Sequence, residues 1–129
     1  MTADDDDYEL VAETVPASVA RIRRFTADAC RTATPAVDSH TVALLVSEVA
    51  TNALGHGEGS VRVRVLPTTD GLRVEVHDGS PSLPSRRTAT PMDEGGRGIA
   101  LVEALSSGWG AERTDDGKTV WFEVAASSA

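Results

Sequence analysis

Lysine is almost missing from this chain: of twelve basic residues only Lys118 is a lysine and the others are arginine, a bias that hints at a GC-rich genome and goes no further. Cysteine is as scarce. Cys30 stands alone, so no internal disulfide can form, and no set of Cys and His has zinc spacing. Cys30 therefore reads as a small core residue rather than a thiol with chemistry. Basic charge is in deficit as well, with a formal net charge of -8, which argues against direct nucleic-acid binding. Four of the negative charges stand together as Asp4 to Asp7, where a secretory signal would carry Lys or Arg and then an apolar run. No apolar stretch is long enough to span a bilayer. A cytoplasmic protein with no membrane role is expected.

What is present fits one domain with one core, since 129 residues lie in the commonest domain range. The expected organisation is a disordered acidic tail over 1–7, a single domain over 8–124 and a disordered tail over 125–129. There are no internal repeats or linkers. Tyr8 to Val15 alternates as a strand, with Leu10, Ala12 and Thr14 on one side. Pro16 suits a first helical turn, and from Ala17 to about Thr32 the residues Val19, Ile22, Phe25, Thr26 and Ala29 keep helical spacing. Arg21, Arg23, Arg24 and Arg31 fill the other face, which reads as a solvated basic surface ahead of a docking surface. Thr34-Pro35 breaks the chain, and a second helix starts at Asp38 or Ser39 and stops at Gly55 or Gly57.

Two alternating strands follow, Ser60 to Leu66 and Leu72 to Asp78, joined by a hairpin turn at Thr69-Asp70-Gly71. Each predicts one buried and one wet face. From Gly79 to Met92 there is no periodicity, and Pro81, Pro84 and Pro91 mark a long loop that also carries Arg86-Arg87. A glycine-rich turn, Glu94 to Gly98, then opens a short apolar helix from Ile99 to Leu105. Trp109 to Arg113 and Lys118 to Val124 close the chain as a hairpin around Asp115-Asp116-Gly117. Helices and strands segregate, so the fold class is α+β: a two-layer sandwich, its sheet mixed but mostly antiparallel, with the helices on one face.

Three features break this patterning. Glu48, Asn52 and His56 recur every fourth residue on the second helix and form one polar stripe among Leu45, Val46, Val49, Ala50 and Ala53. A helix so apolar is expected to be mostly buried, so the carboxylate calls for a partner. Asp78 has the parity of Leu72, Val74 and Val76, so it points from its strand end toward the buried side and wants a hydrogen-bond donor. The glycine-rich segment before Ile99 offers free backbone N–H groups at a helix start, where phosphates sit. Each has a plain structural explanation: a helix-end cap for Asn52 and His56, a closed turn for Asp78, a simple chain reversal for the glycines. Together, in this order, they are consistent with a purine nucleotide site. In it an aspartate accepts from an exocyclic amine, an asparagine oxygen holds magnesium and a carboxylate takes a proton.

The same stretches resemble a known family, the ATP-binding domain shared by gyrase, the large chaperone ATPases, sensor histidine kinases and mismatch-repair proteins. Within it the chain is most similar to the stand-alone anti-sigma-factor serine kinases of actinobacterial, regulatory form. Glu48-Val-Ala-Thr-Asn52-Ala-Leu-Gly-His56 matches the family's asparagine box, Val76-His77-Asp78-Gly79 its adenine-binding aspartate box, and Gly96-Arg97-Gly98-Ile99-Ala100-Leu101-Val102 its second glycine box. The resemblance covers roughly Val15 to Val124 and implies a Bergerat-type ATP-binding fold. It implies ATP and magnesium as cofactors, Glu48 as the base, Asn52 as the magnesium ligand and Asp78, with Gly79, at the adenine amino group. Gly96 and Gly98 would let a lid approach the phosphates, beside Ile99, and Arg97 would meet the γ-phosphate. It further implies serine phosphorylation of an anti-anti-sigma partner and sequestration of a sigma factor, hence a kinase in transcription regulation.

The chain also departs from that pattern. The family usually has glycines two and four places after the aspartate, where Ser80 and Ser82 stand here. It also tends to carry Gly-Thr before its last strand, whereas Gly117 is followed here by Lys118, unless Thr119 substitutes. Close backbone approach to the base is then reduced, and weak ATP affinity is expected. Two activities stay open: a magnesium- and ATP-dependent serine/threonine kinase that binds a sigma factor, and a binding module that has kept the fold without efficient turnover. A homodimer is compatible with either, since the edge of the first strand needs cover.

Overall fold

The computed structural model describes residues 7–56, 59–79 and 94–127, and of residues 55, 56 and 94–99 the backbone alone. In chain order the elements are β1 (Tyr8–Glu13), α1 (Ser18–Ala33), α2 (Ser39–His56), β2 (Ser60–Pro67), β3 (Gly71–Asp78), α3 (Glu94–Leu105), β4 (Gly108–Thr114) and β5 (Gly117–Ala125). The strands form a single sheet of order β1-β2-β3-β5-β4, and every pairing between them is antiparallel. The helices cover one face. Helix α1 packs on β1 and β2, α2 on β3 and β5, and α3 on α2 and β4. This is the two-layer α+β sandwich that the segregation of elements predicts.

Alternation decides which face is buried. Val61, Val63 and Val65 of β2, Leu72, Val74 and Val76 of β3, and Val120, Phe122 and Val124 of β5 point under the helices. They meet Ile22, Ala29 and Cys30 of α1 and Val42, Leu45, Val46, Val49, Ala50 and Ala53 of α2 in one core. Burial lifts the Cys30 thiol above its ordinary pKa, as a core cysteine requires. The opposite face is a charged lattice. Arg64 pairs with Asp7 at 3.2 Å and Glu75 at 3.4 Å, and Arg73 with Glu75 at 2.9 Å and Glu123 at 3.2 Å. The Arg73 guanidinium also lies 4.1 Å from the centre of the Trp121 ring, a cation–π contact.

Two elements differ from the expected bounds by more than one residue at an end. β1 stops at Glu13 instead of Val15 because the Val15 amide donates back to the Glu13 carbonyl at 2.9 Å, and Pro16 has no N–H for a ladder. Helix α3 begins at Glu94, so the glycine-rich stretch expected as a turn has helical backbone. Glycine costs about 1 kcal/mol in a helix interior, and these glycines fall in the opening turns where that cost is least felt. Helix α2 starts as the sequence predicts. Asp38 caps it, its carboxylate accepting from the His40 amide at 2.9 Å and the Thr41 hydroxyl at 3.1 Å, which lowers its pKa below the usual carboxylate value. Among the described residues no helix is long and apolar enough to cross a membrane.

Candidate functional site

The connectivity carries three of the unusual segments to one end of the sandwich. Helix α2 ends at His56 and is joined by a few residues to Ser60, where β2 begins, while β3 ends at Asp78 on the neighbouring strand. Helix α3 is joined at its far end by Ser106-Ser107 to the start of β4, whose Gly108 pairs with Glu123 near the end of β5. Packed on α2 and β4 and joined to the start of β4 by so short a turn, α3 leads back from that end toward the other, where Thr114 pairs with Gly117 and Lys118 with Asp78. The last turns of α2, the end of β3, the start of β5 and the N-terminus of α3 therefore gather together.

Glu48 and Asn52 are half-buried, whereas the patterning predicts deep burial for the carboxylate. The apolar residues beside them face inward and leave the stripe at the margin of the helix layer. Two small polar side chains beside the stripe are satisfied by the backbone of α2, the Ser47 hydroxyl donating to the Ala43 carbonyl and the Thr51 hydroxyl to the Ser47 carbonyl, both at 2.7 Å. No such bond serves Glu48 or Asn52. Among the described residues the Glu48 carboxylate and the Asn52 amide have no hydrogen-bond or ion-pair partner, so both remain available to a ligand. Half-burial leaves the Glu48 carboxylate open to water, so the pairing that full burial would demand is not required.

Asp78 is different. It is fully buried, and so is Lys118, at 0% and 1% exposure. The Lys118 Nζ donates to Asp78 Oδ1 at 3.1 Å and stands 2.9 Å from Oδ2. The two residues are direct cross-strand partners of β3 and β5. Gly117 makes the approach feasible: its φ is +149°, and a Cβ there would lie 1.9 Å from the Asp78 carbonyl oxygen. The parity rule thus places Asp78 correctly, and its donor is one that the sequence could have signalled, since a lysine in the core-facing parity of β5 is as anomalous as the aspartate. Thr119 does not substitute for the missing family threonine. It lies on the outer face, where its hydroxyl is 3.0 Å from His77 Nδ1, and His77 Nε2 is 3.3 Å from Asp116.

Gly79 follows Asp78 at half-burial, and Gly96, Arg97, Gly98 and Ile99 supply backbone to the opening of α3. The side chain of His56, which the patterning reads as a cap, lies outside the described residues, as do Ser80, Ser82 and Arg86-Arg87. Among the described residues no group of three or more His, Cys, Asp or Glu could hold a metal unaided. A magnesium ion on the Asn52 oxygen would take its remaining ligands from phosphate and water, as that ion commonly does. An apolar hollow of about 400 Å³, lined by Pro16, Val19, Thr51 and Leu54, opens beside α2 and includes none of the predicted site residues.

Known proteins agree with this architecture. The family model of the histidine kinase-like ATPase domain matches residues 12–124. An uncharacterised protein of Streptomyces coelicolor is 37% identical over 86 residues, 62% of this chain and 81% of that one. The crystal structure of the RsbU and RsbW domains of Rv1364c from Mycobacterium tuberculosis is similar with a TM-score of 0.72 and 17% identity, over 95% of this chain and 33% of that one. The histidine kinase domain of a blue-light activated histidine kinase from Erythrobacter litoralis is similar with a TM-score of 0.53 and 27% identity, over 68% of this chain and 44% of that one. The chain thus spans less than half the length of either solved chain.

Proposed function

The chain belongs to the histidine kinase-like ATPase domain family, and from that premise we propose that it is a cytoplasmic ATP-binding regulatory protein, a serine/threonine protein kinase acting as an anti-sigma factor. It would phosphorylate a serine of an anti-anti-sigma partner and sequester a sigma factor. The observation that carries this is the pair Glu48 and Asn52, one turn apart, half-buried and without hydrogen-bond or ion-pair partners among the described residues. A structural carboxylate and amide in a helix would be bonded or fully solvated; a pair held at the rim of the core suits a ligand.

ATP supplies the phosphoryl group, with magnesium offsetting its charge. The Asn52 oxygen would hold the metal, and Glu48 would accept the proton that the attacking seryl hydroxyl loses. The opening turn of α3, with Gly96, would present N–H groups without intrahelical partners to phosphate oxygens, and Gly98 follows within the helix. Arg97 would add a charge there. A homodimer through the open edge at β1, where Val11 is exposed, is compatible with this role.

Incubation with labelled ATP, magnesium and candidate anti-anti-sigma proteins tests the proposal. Label is expected on a serine of the partner and is expected to vanish with Glu48→Gln. Transfer that survives this change would sink the assigned base.

The Asp78–Lys118 pair favours a second function, an interaction module that has kept the fold and turns over little ATP. Calorimetry separates the two: no heat and no melting shift at millimolar ATP with magnesium, alongside retained capture of a sigma factor, would select the module.

A further inference from the structure

We propose that Lys118 takes, from within the chain, the place at Asp78 that the exocyclic amine of a purine would take, so that this site binds nucleoside triphosphates without selecting adenine. The proposal rests on the nucleotide-site function above and concerns which part of the nucleotide is recognised.

The Lys118 ammonium already occupies the Asp78 carboxylate. Asp78 and Lys118 are both buried, and both carboxylate oxygens lie within 3.1 Å of the ammonium. The register of β3 against β5 places the two opposite each other, and the absent Cβ of Gly117 lets the start of β5 close on the end of β3. Residue type matters too. An ammonium is a compact point donor with three hydrogens, the nearest protein analogue of an amine, whereas a guanidinium is a wide planar fork. Arginine serves every other basic position in the chain, and the one lysine stands here. Thr119, the other polar residue at this strand start, is turned to the outer face and bonded to His77. Affinity would then come from the phosphate and magnesium side, from Asn52 and the backbone opening α3.

Calorimetric titration of the whole chain with ATP and with inosine triphosphate, which carries a keto oxygen in place of the amine, tests this directly. A carboxylate that reads the amine should reject the keto base by roughly a hundredfold or more. The wild type is expected to bind the two within about threefold of each other, and Lys118→Thr is expected to bind ATP about tenfold more tightly and to prefer it. A wild type that binds neither overturns the proposal, and a gain for ATP in Lys118→Thr would then still leave the nucleotide site standing. If that variant does not fold, Asp78→Asn/Lys118→Thr is measured in its place, because it removes both charges and the asparagine oxygen accepts the same amine. A wild-type preference for ATP of about tenfold or more overturns the proposal and leaves the nucleotide site standing. A folded variant without gain for ATP also overturns it, and if neither wild type nor variant binds any nucleotide, the nucleotide site falls with it.

Discussion

Lys118 and Thr119 are neighbours in sequence and stand on opposite faces of the sheet, the lysine buried against Asp78 and the threonine bonded to His77 outside. Period-two alternation makes this unavoidable once β5 is in register with β3. A threonine one place late therefore cannot reach the inward pocket, and the inward position belongs to a charged residue with a long stem.

The buried pair should show the asymmetry of such pairs in folding. Lys118→Thr removes the buried ammonium from beside a buried carboxyl group and should cost about 3–5 kcal/mol, while Asp78→Asn/Lys118→Thr should recover most of that loss. Urea unfolding of the two variants measures it. Equal loss in both would mean that packing rather than charge sets the cost.

Gly117 should tolerate no side chain. Alanine there meets the Asp78 carbonyl oxygen at 1.9 Å with φ at +149°, so β5 must shift away from β3. Gly117→Ala is expected to cost about 2–4 kcal/mol and to loosen the Asp78–Lys118 contact. Amide hydrogen exchange at the start of β5 reads the second effect, and unchanged protection there would contradict it.

Asn52 should matter to the ligand and not to the fold. The side chain is half-buried and unbonded among the described residues, so Asn52→Ala should change stability by less than about 0.5 kcal/mol. It should also abolish any magnesium-dependent rise in melting temperature that ATP produces in the wild type. A variant that keeps that rise would remove Asn52 from the metal site.

Asp38 provides a pH signature. Its folded pKa is depressed, chiefly by the His40 amide and then the Thr41 hydroxyl, so its capping contribution is present above the unfolded carboxylate pKa. That contribution is lost as pH falls through the depressed folded value. Asp38→Ala should melt below the wild type at neutral pH, and the gap should close in acid. A gap constant from neutral pH down to the depressed folded value would exclude the charged cap.

Much of the site was legible in the chain. The i, i+4 stripe of Glu48 and Asn52 follows from helical geometry, and the inward aim of Asp78 from strand parity. The depth of each group was not. Glu48 looked buried because its sequence neighbours are apolar, yet burial depends on how α2 is rotated over β3 and β5 and on where α3 lies beside it. The opening of α3 was misplaced for a related reason: glycine carries a weak local preference, and packing on α2 and β4 is a tertiary matter.

By itself the sequence determined the elements, the two-layer class and the residues with chemistry, because hydrophobic period and residue type are local properties. Only the tertiary structure decided what Asp78 meets. Lys118 lies forty residues on, and the two come together through a strand order that inserts β5 between β3 and β4. Pairing across so long a connection is fixed by the register of buried valines and by a glycine that admits close approach. A carboxylate that reads in sequence as open to a ligand is therefore held, in the fold, by the one lysine of the chain.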